Sequence, residues 1–177
     1  MRYMWYVNYK VYTPSECNEI VNSCLQHKSD RYLDNGTEYK KVNTSLVETN
    51  KVQHLLQRFF DEVEQANQEH FGFKLFNRPR TVNLNIYENN TNEYPYHNDA
   101  MQFGSSCDVK LTAILNLSPE PYIGGEFEIF DGKNTPIPDI NPQGNMIIFP
   151  SPLYHRVKPV TGKRISLSAW FYGPNWR

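Results

Sequence analysis

"RISLSAWFY", residues 164–172, separates into two unlike sets when alternate residues are taken. Ile165, Leu167, Ala169 and Phe171 are apolar throughout. Arg164, Ser166, Ser168, Trp170 and Tyr172 carry a guanidinium, two small hydroxyls and two aromatic rings. Alternation of this kind marks a β-strand, whose successive side chains point to opposite faces. The apolar set reads as a core face. If the other face is also covered, the guanidinium of Arg164 is buried and needs an anionic partner. No acidic residue lies nearby in sequence, so a bound carboxylate suits the bidentate fork of arginine. Equally open from periodicity is an exposed Arg164 that merely starts a strand after the Gly162-Lys163 turn.

Other short β-rich runs share the chain after Gly72: "RTVNLNIY", "YPYHND", "DVKLTAILNLS", "GGEFEIF", "NMIIFP" and "YHRVKPV". Pro and Gly clusters separate them, the pattern of a sandwich or small barrel. Before Gly72 the period changes. "YMWYVNYKVY" reads as a strand. Thr13, Pro14 and Glu16 form a capping box that opens a helix with Cys17, Ile20, Val21, Cys24 and Leu25 on one face. "SDRYLDNGTEYKK" is polar with a turn at Asn35-Gly36, and "VNTSLVE" is a strand candidate. Asn50 opens a longer helix with the stripe Val52, Leu55, Leu56, Phe59, Phe60, Val63 and Ala66, stopped by Gly72. The expected fold is mainly β with N-terminal helices (α+β), the two helices packed outside a C-terminal barrel or jelly roll. No repeat or linker divides the chain, so residues 1–177 read as a single domain.

Composition narrows the function. Twelve Tyr, 10 Phe and 3 Trp in 177 residues argue against disorder. With 18 basic and 19 acidic residues there is no basic excess of the sort a nucleic-acid binder carries. No run is long enough to cross a bilayer, and the N-terminus lacks the apolar segment of a signal peptide. Cys17, Cys24 and Cys107 are odd in number and lack metal-type pairing, which fits a reducing, cytoplasmic setting.

In extended chain, His97 and Asp99 of "YPYHND" point to the same side. His155, after "MIIFPSPLY", offers a third ligand, whereas His27, His54 and His70 fall on the helices or their ends as solvated or capping residues. Two His and one Asp make a facial triad that leaves open positions on Fe(II) for a cosubstrate and O2. H-x-D by itself is short and common; the downstream residues give it weight.

Taken together, these residues resemble the Fe(II)/2-oxoglutarate-dependent oxygenases, in particular their prolyl 4-hydroxylase-like branch. The pattern of H-x-D, distal His and following basic residue stands here as His97-Asn98-Asp99, His155 fifty-six residues after Asp99, and Arg164 nine residues after His155. "GGEFEIF" and "HRVKPVTGKRISLSAWF" resemble further family segments, and the likeness covers residues 79–173. The resemblance implies a double-stranded β-helix (jelly roll), with His97, Asp99 and His155 as ligands of Fe(II). Arg164 would bind the distal carboxylate of 2-oxoglutarate. Tyr87 matches a tyrosine that faces the cosubstrate, and Tyr94 and Trp170 match the substrate pocket; all three also read as ordinary aromatic core. The branch often has a carboxylate-binding tyrosine near Asn116. It is missing here, and Thr112, which shares an inward face with Ile114 and Asn116, or another hydroxyl is expected to substitute.

The implied reaction hydroxylates a substrate while 2-oxoglutarate becomes succinate and CO2, with ascorbate as reductant. A prolyl residue in a protein or peptide is the first choice of substrate, from Tyr87, Tyr94 and Trp170. A free amino acid or small metabolite is the alternative within the family. AlkB-type demethylases carry a second arginine where Trp170 stands, so a nucleic-acid substrate is not expected, nor a membrane. A cupin-type metal protein would share the barrel and histidines but have no use for Arg164. The loop "YLDNGTEYKKVN" (32–43) is expected to fold over the site.

Overall fold

The computed structural model describes residues 4–34, 42–88, 92–100 and 106–176. In chain order its elements are β1 (Tyr6–Asn8), α1 (Pro14–Gln26), β2 (Lys28–Asp34), β3 (Asn43–Glu48), α2 (Thr49–Ala66), β4 (Thr81–Tyr87), β5 (Asn92–His97), β6 (Cys107–Asn116), β7 (Ile123–Gly124), β8 (Phe127–Phe130), β9 (Asn134–Pro136), β10 (Met146–Pro150), β11 (His155–Thr161) and β12 (Arg164–Pro174). Seven strands form a large sheet in the order β1-β10-β6-β12-β4-β3-β2. A smaller sheet runs β5-β11-β8-β9, with β7 paired to β11. The expected mainly β jelly roll with external helices is what the chain forms.

Both faces of the large sheet are covered. Ile165, Leu167, Ala169 and Phe171 of β12 join Leu111, Ala113 and Leu115 of β6 in one cluster with the apolar stripes of α1 and α2. Ile114, Ile147 and Phe149 face the other way and pack with Phe127, Ile129, Val157 and Val160 of the smaller sheet. The site lies in this second layer.

The helices start and stop largely as their sequence dictates. Thr13 caps α1: its hydroxyl accepts from Glu16 N, and Glu16 reaches back to Thr13 N at 2.8 Å. Cys17, Ile20 and Cys24 are buried, but Leu25 is 39% exposed because it lies at the edge of the stripe in the last turn. α2 begins at Thr49 rather than Asn50, directly from β3, with Thr49 N donating to Arg80 O at 2.8 Å. It runs into a single wide turn, Asn67–Phe71, and stops at Gly72 in the left-handed region (φ 71°).

Two expectations need correction. The N-terminal strand is only Tyr6–Asn8, paired with β10. The polar stretch after α1 is not all loop: Lys28–Asp34 is a strand at the sheet edge, paired with β3. Of the 32–43 loop expected over the site, residues 32–34 therefore belong to β2 and Asn43 to β3, and 35–41 lie outside the described residues.

Leu56, fully buried between α2 and the sheet, and exposed Leu25 should respond differently to truncation. Leu56→Ala should cost about 2–5 kcal/mol in urea denaturation. Leu25→Ala should stay within about 0.5 kcal/mol of the parent.

Candidate metal and cosubstrate site

Strand pairing assembles one end of the site. His97, the last residue of β5, stands opposite His155, the first residue of β11, and their ring centroids are 4.2 Å apart. Asp99 lies two residues beyond His97, past the strand end, and is anchored by its own N–H, which donates to Ser151 O at 3.0 Å. Its carboxylate oxygens then sit 3.7 Å from His97 Nε2 and 3.5 Å from His155 Nε2. The three ligand atoms lie within 4.8 Å of one another. Ligands sharing one ion at about 2.1 Å stand roughly 3–4 Å apart, so the spacing fits a single metal. Among the described residues no other cluster of three His, Cys, Asp or Glu side chains is so close.

The imidazoles are set in the tautomer a metal requires. His97 Nδ1 is 2.8 Å from Pro95 O, and His155 Nδ1 is 3.0 Å from Leu153 O. A carbonyl only accepts, so Nδ1 carries the hydrogen and Nε2 turns its lone pair to the shared centre. Burial holds the pKa of His155 below its usual value, against the opposing pull of Asp99 and the Leu153 carbonyl. The ring is thereby kept neutral. Thr112 Oγ1 donates to Asp99 Oδ2 at 2.8 Å and lies 3.0 Å from Ser151 Oγ, which fixes the carboxylate. The Tyr94 ring stacks on His97, with centroids 3.7 Å apart.

The other end is built by β12 and β4. Arg164 opens β12 opposite Tyr87 and is only 1% exposed. Its Nη1 donates to Ser166 Oγ at 3.2 Å and its guanidinium lies over the Tyr87 ring, while Nε finds no partner. No carboxylate among the described residues pairs with it. Of the two positions left open by the sequence, the structure adopts the buried one. An enclosed guanidinium with no carboxylate paired to it among the described residues is a receptor for one. Gly125 makes room beside it: at φ 66°, an added Cβ would lie 2.9 Å from Val160 Cγ2 and 3.3 Å from Arg164 Cδ.

One pocket joins the two ends. His97, Asp99, His155, Arg164, Tyr87, Thr112, Tyr94 and Trp170 all line it. Thr112 has a different partner from the one expected. The register puts it opposite Trp170, toward the triad, so it holds Asp99 and not the surroundings of Arg164; the hydroxyl beside Arg164 is Ser166. Asn116, also expected inward, turns instead to Ser118 and Asn141 O. Asn83, Asn85, Phe127 and Val157 line the pocket without having been singled out. The alternation of "TVNLNIY" is the signal that would have found the two asparagines, since Val82 and Leu84 face the helices. Ser151, a turn residue, left no comparable signal.

The profile of the 2OG-Fe(II) oxygenase superfamily matches residues 82–172, just over half of the chain. A PKHD-type hydroxylase of Maricaulis maris is 30% identical over 113 residues, covering 62% of this chain and 51% of that protein. One from a Synechococcus strain is 29% identical over 140 residues, covering 72% and 62%. The chain thus spans about half the length of the Maricaulis relative. A Pseudomonas putida prolyl-4-hydroxylase superposes with a TM-score of 0.77 at 17% identity, over 97% of this chain and 94% of that one. The viral collagen prolyl hydroxylase of Paramecium Bursaria Chlorella virus-1, in its 2OG complex, gives 0.75 at 16% identity, with 97% of each chain covered. These likenesses carry the double-stranded β-helix fold, and with the profile match across its strands the chain belongs to the 2OG-Fe(II) oxygenase superfamily.

Proposed function

We propose that the protein is an Fe(II)- and 2-oxoglutarate-dependent dioxygenase that hydroxylates a prolyl residue in a protein or peptide, releasing succinate and CO2. The observation that carries this reading is the pairing, in one pocket, of a His-Asp-His triad with a buried arginine that has no carboxylate partner among the described residues. A cupin-type metal centre has no use for that arginine.

His97 Nε2, a carboxylate oxygen of Asp99 and His155 Nε2 would hold Fe(II), which supplies O2 chemistry coupled to 2-oxoglutarate decarboxylation. Thr112 keeps the Asp99 carboxylate turned to the centre. Arg164 would take the distal carboxylate of 2-oxoglutarate through its fork, with Tyr87 packed beneath the guanidinium. Phe127, Ile114 and Val157 line the pocket with apolar surface and limit water. Tyr94 and Trp170 give flat aromatic faces on which a pyrrolidine ring can lie.

Two structural neighbours are named as prolyl hydroxylases, which supports a prolyl substrate; the sequence relatives are named only as PKHD-type hydroxylases. A free amino acid or small metabolite is the second reading, favoured by the amide and hydroxyl side chains of Asn83, Asn85 and Ser168 in the wall. Ascorbate is the reductant we assign. We read residues 1–177 as one domain with the oxygenase core at 79–173. A cytoplasmic setting accords with the free cysteines, since burial pushes the thiols of Cys17 and Cys24 up to about 12 and leaves them unreactive. No described helix is long and apolar enough to cross a membrane.

A peptide library incubated with Fe(II), 2-oxoglutarate and ascorbate tests the reading by mass spectrometry. Hydroxylation on proline is expected, with succinate in step; His97→Ala should reduce both to background. Succinate with no hydroxylated peptide would reject the prolyl substrate, and no succinate under any condition would reject the enzyme. Arg164→Leu should weaken 2-oxoglutarate binding roughly 10–100-fold, the worth of a charge-assisted hydrogen bond. Calorimetry should find its metal affinity unchanged. Thr112→Val should weaken metal binding by about 10–100-fold, as loss of a group supporting a ligand does, with 2-oxoglutarate contacts at Arg164 intact.

A further inference from the structure

Asn83 and Asn85 stand two residues apart on the pocket face of β4, and the fold treats their amides differently. Asn85 is held at both ends: Oδ1 accepts from Thr44 Oγ1 at 2.9 Å, and Nδ2 donates to Ser168 Oγ at 3.1 Å. Asn83 is 9% exposed, and its Oδ1 is enclosed with no donor among the described residues. Ser168, its partner in the β4–β12 register, accepts from Asn85 at its hydroxyl and makes no hydrogen bond to Asn83 Oδ1. Folded proteins rarely leave a buried acceptor unpaired, and one that lines a ligand pocket is set to receive a donor from the ligand.

The position of Asn83 identifies the kind of donor. Along β12 the pocket face runs from Arg164 through Ser166 and Ser168 to Trp170. Arg164 is the enclosed end, and Trp170 is half-buried. Asn83, opposite Ser168, therefore lies on the Trp170 side of the pocket, away from the carboxylate of the cosubstrate. A prolyl nitrogen within a peptide carries no hydrogen. The donor is accordingly the main-chain N–H of a neighbouring residue. An asparagine amide carries an acceptor and donors together, and so matches a peptide group.

We propose that Asn83 is a substrate-binding residue whose Oδ1 accepts a hydrogen bond from a main-chain N–H flanking the oxidised residue of a peptide. This rests on the prolyl-peptide reading above. Asn83 then anchors the peptide backbone while Tyr94 and Trp170 take the ring.

Equilibrium binding of a hydroxylated library peptide, measured by fluorescence anisotropy with Mn(II) and 2-oxoglutarate in the absence of O2, tests this directly. Asn83→Leu and Asn83→Ala should each weaken the peptide about 5–10-fold, the effect of one neutral hydrogen bond. The 2-oxoglutarate dissociation constant, which also reports folding, should not change. Peptides methylated at one backbone nitrogen at a time supply the second arm. One methylation should cost the parent protein as much as Asn83→Leu does, and cost the Asn83→Leu variant nothing further. Unchanged peptide affinity in both variants, as when the amide serves a resident water only, overturns the proposal. So does a methylation penalty that is the same in parent and variant. If the parent binds free amino acids but no peptide, the prolyl-peptide reading fails first; if it binds peptides and Asn83 is indifferent, only this inference fails.

Discussion

The central strands of the large sheet are buried on two sides that differ in chemistry, and β12 sits in the middle of that arrangement. It pairs with β6 along one edge and β4 along the other. A slip of one residue would put Arg164, Ser166 and Ser168 against the helices and Leu167 and Phe171 into the pocket. The apolar layer beneath α1 and α2 forbids that slip, because Phe59, Phe60 and Val63 would meet a guanidinium and hydroxyls. The helices therefore fix the register that aims Arg164 at the pocket, although they contribute no residue to it.

The triad is tied to this frame by polar contacts. His97 and His155 belong to the smaller sheet, which faces the large one. Asp99 connects the two: its N–H is held by Ser151, after β10, and its carboxylate by Thr112 of β6. Ser151 N in turn donates to Lys110 O at 3.0 Å, so the turn carrying Ser151 is itself pinned to β6. Two members of the triad thus ride on one sheet, and the third is steered by the other. The spacing of the triad then follows the distance between the layers.

Much of this was legible in the chain because it depends on period and short-range chemistry. Alternation in 164–172 identified both faces of β12, and the Thr13–Glu16 capping box placed the start of α1. What escaped was set by tertiary partners. Arg164 is buried only because the smaller sheet and the Gly124-Gly125 approach to Pro159 and Val160 close over it, and no local pattern reports that closure. Thr112 lies at the triad end and not the arginine end because its pairing with Trp170 on β12 sets its place along the pocket, and that pairing is not visible in the local pattern of β6. Leu25 has the right helical spacing for the core but sits at the margin of the face that the sheet covers. The strand at 28–34 is polar and lies at the sheet edge, where pairing with β3 replaces burial as its reason to be extended.

The pocket's two walls now separate two jobs. The smaller sheet presents imidazoles set among aromatic rings: Phe127 of β8, and Phe149 reaching across from β10 of the large sheet, both contact His155, at ring distances of 5.7 and 4.7 Å. Such a lining keeps His155 neutral and excludes water from the triad end of the pocket. The large sheet presents amides and hydroxyls on β4 and β12, some locked to one another and one left open. A wall made only to exclude water would be apolar on this side as well. Retaining buried Asn, Ser and Thr has an energetic cost unless each is paired, and the Thr44–Asn85–Ser168 chain meets that condition internally. Its effect is to hold β3, β4 and β12 in fixed relation, so the neighbouring Asn83 amide is presented from a rigid surface.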